Sequence, residues 1–206
     1  MKKIFLTFFL LIAIPVMASH IVGGEFELIH ISGDIYRLNL IYYFDKVNGF
    51  RNANGTQSLP EDVDPRLTAN IFRKSDNALI ESVILIFEKK TKVDYTQPEC
   101  SNDGLQTERL LYTTLIRLPA NVYDDPQGYY VSWQRCCRNY QIDNVVSDQP
   151  PPNTSNFPDA AGQTFYLEFP AVVKDGVPFI NSSPRLFPPL SDYACPGTFY
   201  YVNFAG

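Results

Sequence analysis

Phe26-Glu27-Leu28-Ile29-His30-Ile31-Ser32-Gly33-Asp34-Ile35-Tyr36-Arg37-Leu38-Asn39-Leu40-Ile41-Tyr42 is the stretch that decides the fold. Phe26, Leu28 and His30 share one face of an extended chain, with Glu25, Glu27 and Ile29 on the other. After the turn signal Ser32-Gly33-Asp34 the alternation resumes. Tyr36, Leu38, Leu40 and Tyr42 then alternate with Arg37, Asn39, Ile41 and Tyr43. A period of two on both sides of a Gly-Asp turn predicts a β-hairpin over 19–44.

The same signature recurs downstream. Residues 46–64 are polar, contain Asn52-Ala53-Asn54-Gly55, and read as a long loop. Residues 66–73 and 78–88 form a second strand pair around Ser75-Asp76-Asn77. A loop over 89–104 carries Cys100, and an extended run over 105–118 follows. Residues 129–137 read as a strand. Pro150-Pro151-Pro152 excludes a central strand from 143–162. Residues 163–169, 178–180 and 199–204 complete the strand candidates. No amphipathic helix of more than one or two turns fits the sequence. The expected fold is all-β: an antiparallel β-sandwich, Ig-like or a partly closed barrel, with long loops.

The chain has 206 residues. Lys2 and Lys3 precede an apolar run from Ile4 to Val16, and the segment closes on Val16-Met17-Ala18. A basic start, a short apolar run and a small residue at the end predict a signal peptide over 1–18 rather than a membrane span. The expected organisation is therefore a leader, an extracellular β-domain over 19–190, and a further strand or following repeat beginning in 191–206. The net charge of −5 argues against nucleic acid or anionic membrane as a partner. Asn54-Gly55-Thr56, Asn153-Thr154-Ser155 and Asn181-Ser182-Ser183 match the N-glycosylation pattern.

Outside the cytoplasm, Cys100, Cys136, Cys137 and Cys195 read as disulfide partners. Four cysteines allow three connectivities. A ring between the adjacent Cys136 and Cys137 spans only about 3.8 Å between Cα atoms, below the range of an unstrained bridge. Neighbouring side chains of a strand point to opposite faces, so the doublet is expected to pin Cys100 on one face and Cys195 on the other, in either order.

Ile21-Val22-Gly23-Gly24 resembles the start of an activated trypsin-type protease, but no Gly-Asp-Ser-Gly motif follows, and the only histidines are His20 and His30. His30, in register with Phe26 and Leu28, reads as a half-buried strand residue. Glu61-Asp62-Val63-Asp64 and Asp124-Asp125 lack the spacing of a calcium loop. No catalytic residue, metal site or cofactor is expected. Tyr129, Tyr130, Trp133, Arg135 and Arg138 cluster around the cysteine doublet and are the candidate ligand-binding residues, since aromatic planes with guanidinium groups suit sugars and carboxylates. The alternative puts Val131 and Trp133 in the core, with the arginines pairing surface carboxylates.

Three landmarks carry a family resemblance. They are Ala18-Ser19-His20-Ile21-Val22-Gly23-Gly24-Glu25 after the leader; Gly128-Tyr129-Tyr130-Val131-Ser132-Trp133-Gln134-Arg135-Cys136-Cys137-Arg138-Asn139; and Asn181-Ser182-Ser183-Pro184 followed by Pro188-Pro189 and Cys195. Together they resemble the N-terminal region of large, secreted, multi-domain surface proteins of Bacteroidota. Such proteins carry a gliding-motility-associated C-terminal domain and leave by the type IX system. The resemblance implies a non-enzymatic, adhesin-like, cell-surface protein with Ig-like or PKD-like repeats downstream. Its partners would be other domains of the same protein and surface glycans or proteins. Family members commonly have a cysteine in the first strand and another in the loop after the second; His30 and about Lys46 or Val47 stand there instead. The family's Asp- and Gly-rich segment, which looks able to bind calcium, lies beyond Gly206, so no metal site carries over. A carbohydrate-binding module is the alternative expectation, and a secreted hydrolase with paired carboxylates the third.

Overall fold

The computed structural model describes residues 21–46, 64–95, 98–100, 106–135, 162–185 and 195–199. They form β1 (Ile21–Ser32), β2 (Ile35–Asp45), β3 (Arg66–Arg73), β4 (Leu79–Lys92), β5 (Thr107–Arg117), β6 (Tyr129–Arg135), β7 (Gln163–Phe169), β8 (Val173–Lys174) and β9 (Val177–Pro178). The first seven make one sheet in the order β1-β2-β5-β4-β3-β6-β7. Every neighbouring pair is antiparallel. The all-β expectation holds, in its nearly closed barrel form.

The hairpin of β1 and β2 follows the alternation residue for residue. Phe26 faces Leu40 and Leu28 faces Leu38 across the pair, and all four are buried. The turn is closed by Gly33 in the left-handed region (φ 55°). His30 lies edge-on to Tyr36 at 5.0 Å, and its Nε2–H donates to the Gly33 carbonyl at 3.1 Å.

Two elements differ from the sequence reading. β4 continues to Lys92 through a register shift between Phe87 and Lys89. The bulge lets a strand persist where alternation fails, so residues 89–92 are strand rather than loop. The expected strand at 178–180 is instead the tiny hairpin of β8 and β9. Its two-residue turn, Asp175 (φ 54°) and Gly176 (φ 75°), has the two positive φ angles of a tight hairpin turn.

Seven strands joined antiparallel leave the first and last pointing the same way. β1 and β7 lie side by side but carry no ladder between them. They meet closely at one end, where a Cβ on Gly24 would stand 2.7 Å from the Phe165 ring and 2.3 Å from the Ile41 oxygen. At the other end the chain returning after β9 lines the edge of β1. Ser183 N donates to Leu28 O at 2.8 Å. Leu28 N donates to Ser183 Oγ at 2.9 Å, and His30 N to Ser182 Oγ at 3.0 Å.

Inside the barrel the core is aromatic. Tyr42 stacks on Tyr112 (5.6 Å) and on Trp133 (5.9 Å), and Trp133 packs on Phe165 (5.2 Å). Such pairs add about 0.5–1.5 kcal/mol beyond the burial of their area. Tyr112 donates its hydroxyl to Asp64 O at 3.0 Å, so the Tyr42 hydroxyl is the donor in the 3.4 Å contact between the two phenols. At the far end Tyr129 packs between Tyr123 (4.9 Å) and Phe169 (5.7 Å).

Cys100 is bonded to Cys195, with Cα atoms 5.3 Å apart. This corrects the expected staple through the doublet. The short turn at Pro98–Cys100 after β4 meets the turn that begins at Cys195, a separation inside the normal range for a bridge. The strand argument assumed that the doublet sits within a strand, and β6 is described only as far as Arg135. Cys136 and Cys137 lie outside the described residues, as do the leader at 1–18 and the tail at 200–206.

Candidate functional site

Strand parity divides the expected ligand-binding residues. Tyr129, Val131 and Trp133 share the inner face of β6. Tyr129 is 0% exposed and Trp133 8%, so neither ring is offered to a ligand. Tyr129 Oη donates to Val122 O (2.8 Å) and accepts from Asp125 N (3.0 Å). Arg135 ends β6 in an ion pair with Asp64, Nη1 to Oδ2 2.5 Å. Arg138 lies outside the described residues. Tyr130 alone faces outward.

Tyr130 is the middle rung of an aromatic ladder that crosses three strands. Phe72 on β3 pairs in register with Tyr130, their rings 5.1 Å apart and 19° from parallel. Tyr166 on β7 stands 5.1 Å from Tyr130 on the other side, at 34°. Leu79, opposite Phe72 on β4, extends the row with an exposed aliphatic side chain. The sheet fixes the spacing, because neighbouring strands lie about 4.8 Å apart.

Hydrogen bonds hold the rim of the ladder. Tyr130 Oη donates to Asn77 Oδ1 at 3.1 Å. Tyr166 Oη donates to Glu168 Oε1 at 2.7 Å, and Glu168 pairs with Lys74 through its other oxygen. Burial, then the bond to Glu168, pushes the Tyr166 phenol up to about 12. The Lys74 ammonium, then the Tyr166 hydroxyl, holds the Glu168 carboxyl below its ordinary value. Tyr166 therefore keeps its proton at physiological pH, and the ion pair of Glu168 with Lys74 stands at the ladder's edge.

A cleft of about 280 Å³ adjoins it around the edge of β7, lined by Leu28, Leu167, Glu168, Phe169 and Asn181–Pro184. It occupies the seam where β1 and β7 fail to pair. Sequence reading missed Phe72, Tyr166 and this cleft. The first two were legible as the polar-parity partners of Ile71 and Phe165, but only the sheet order places them beside Tyr130.

Two of the acidic candidates have partners, while Asp124 stands exposed. Asp125 accepts from Ser75 Oγ (2.5 Å) and Gln127 N (2.8 Å), and Asp64 pairs with Arg135. Residues 61–63 lie outside the described set. Glu99 stands beside the sulfurs of Cys100 and Cys195, but sulfurs bonded to each other are not thiolate ligands.

No family model, curated protein or solved structure matches this chain. The functional reading therefore rests on the geometry of the described residues.

Proposed function

We propose that this chain is a non-enzymatic extracellular interaction module, the N-terminal β-domain of an adhesin-like bacterial cell-surface protein. The observation that carries the reading is the ladder Phe72–Tyr130–Tyr166 with Leu79, an apolar row fixed across four neighbouring strands of a rigid sheet. Tyr166 and Leu79 are exposed, with Phe72 and Tyr130 half-buried beside them, and side chains held on a stiff scaffold suit recognition because little side-chain entropy is lost on contact. The leader over 1–18 and the bridge Cys100–Cys195 fit an oxidising compartment.

The carbohydrate reading has less support. Phe72 and Tyr130 turn their faces to each other, and Tyr130 turns its second face to Tyr166. Only the outer face of Tyr166 is left for a sugar to stack on.

The test is retention of the fluorescently labelled mature chain on cells of the producing bacterium, read by flow cytometry. Tyr166→Ser and Phe72→Ser should each lower retention about tenfold, the loss typical of an interface anchor. Equal retention of both variants, or none of the unmodified chain, would overturn the reading. Competition by soluble glycans would transfer the site to the carbohydrate alternative.

A further inference from the structure

Among the described residues, no strand pairs with the outer edge of β7. β7 pairs with β6 along its whole length, Gln163 with Arg135 through Phe169 with Tyr129. Lys74 N donates to Gly128 O at 3.0 Å. Bonded residue pairs alternate along an antiparallel ladder, so they recur at Phe72/Tyr130 and Asn70/Ser132. The main chain of Tyr129, Val131 and Trp133 then turns toward β7 and meets Phe169, Leu167 and Phe165. The N–H and C=O groups of Thr164, Tyr166 and Glu168 point the other way, where no main-chain partner occurs among the described residues.

Two further features mark this edge. The returning segment Asn181–Pro184 bonds to β1 at Leu28 and His30 but leaves the cleft between itself and β7. The ladder also terminates on β7 at Tyr166, 49% exposed, directly beside the open main chain.

We propose that this edge takes up an extended peptide segment of a protein partner, added as a strand to β7 and bonded to the main chain of Tyr166 and Glu168. The proposal rests on the interaction-module reading and specifies the partner's chemistry. Main-chain groups in a row are satisfied only by another main chain, which sets a peptide apart from a glycan. Side chains of an added strand alternate between faces. One set therefore lies on the outer face against Tyr166. The other drops toward Leu28, Leu167 and Phe169, whose apolar side chains line the cleft. The segment Asn181–Pro184 stands on the far side of the cleft of about 280 Å³.

Amide hydrogen exchange by NMR tests this on the mature chain. The probe is an acetylated, amidated hexapeptide, Lys-Thr-Val-Thr-Val-Thr. In the free protein the amides of Tyr166 and Glu168 should exchange rapidly while Leu167 and Phe169 are protected. Saturating peptide should slow Tyr166 and Glu168 about tenfold or more. The same peptide N-methylated at every residue should not. Protection of Tyr166 and Glu168 in the free, dilute protein would overturn the proposal, because the edge would already be paired. Protection that rises with protein concentration alone would assign the edge to a second copy and also overturn it. Absence of any peptide-induced protection, with cell retention still lost in Tyr166→Ser, would refute strand addition and leave the interaction reading standing. Peptide-induced protection without cell retention would have the opposite effect.

Discussion

Gly24 and Gly33 are both glycines with positive φ in the first hairpin, yet they answer to different physics. Gly24 (φ 156°) sits where β1, β2 and β7 converge, and a Cβ there would overlap the Ile41 oxygen at 2.3 Å and the Phe165 ring at 2.7 Å. Gly33 (φ 55°) has nothing within 4 Å. Gly24→Ala must displace backbone and should cost more than about 2 kcal/mol, whereas Gly33→Ala meets only left-handed strain of about 1 kcal/mol. Urea denaturation of the two variants checks the ranking, and equal midpoints would refute the convergence at Gly24. The same scale shows what the sequence hid at the site. Tyr129 and Tyr130 are equivalent by composition, and parity with Val131 and Trp133 sends the first inward. The partners of Tyr130 come from strands far away in the chain, so no local pattern names them.

Elements defined by a tight turn and an alternating pattern were legible: β1 with β2, β3 with the first part of β4, and β7 match their expected positions closely. What alternation cannot encode is where a bulge prolongs a strand, as at Phe87/Lys89, or where a connecting segment takes over a ladder's role. The segment Asn181–Pro184 is such a case. It substitutes side-chain hydroxyls for main-chain acceptors on β1, and two serines announce nothing by themselves. Ser183→Ala removes the part-buried acceptor of Leu28 N. An unsatisfied N–H at that depth should cost about 1–2 kcal/mol. Ser182→Ala acts on an exposed bond and should cost less. Denaturant midpoints for the pair test this, and a larger loss at Ser182 would contradict the assignment.

Across the whole molecule, the bridge Cys100–Cys195 closes a separation of 95 residues. The chain-entropy model gives such a loop about 4.7 kcal/mol. Cys100→Ser/Cys195→Ser should lose most of that, read as a fall in the urea midpoint. Peptide mapping without reduction should recover a Cys100–Cys195 peptide, and finding either cysteine joined to the doublet would restore the original staple. The doublet reading failed because a connectivity depends on which chain ends the fold brings together, and spacing alone does not carry that information.

Alkaline titration probes the aromatic interior as one body. Burial raises the phenols of Tyr36, Tyr42, Tyr43, Tyr112, Tyr123, Tyr129 and Tyr166 above their ordinary value, with Tyr43 and Tyr166 pushed up to about 12. A raised tyrosine value means that the folded state keeps its proton where the unfolded state has released it. The stability linked to these groups is fully present below about pH 10 and is lost as pH rises through about 12. The direction is set by desolvation, so added salt should shift it little compared with the exposed pair Arg73–Asp76. The phenolate absorbance of these raised tyrosines and the far-ultraviolet β signal, followed together, should therefore change in one cooperative step above pH 10. A smooth titration of all thirteen tyrosines near pH 10 with the β signal intact would show that water reaches the rings, and the packed aromatic barrel would have to be abandoned.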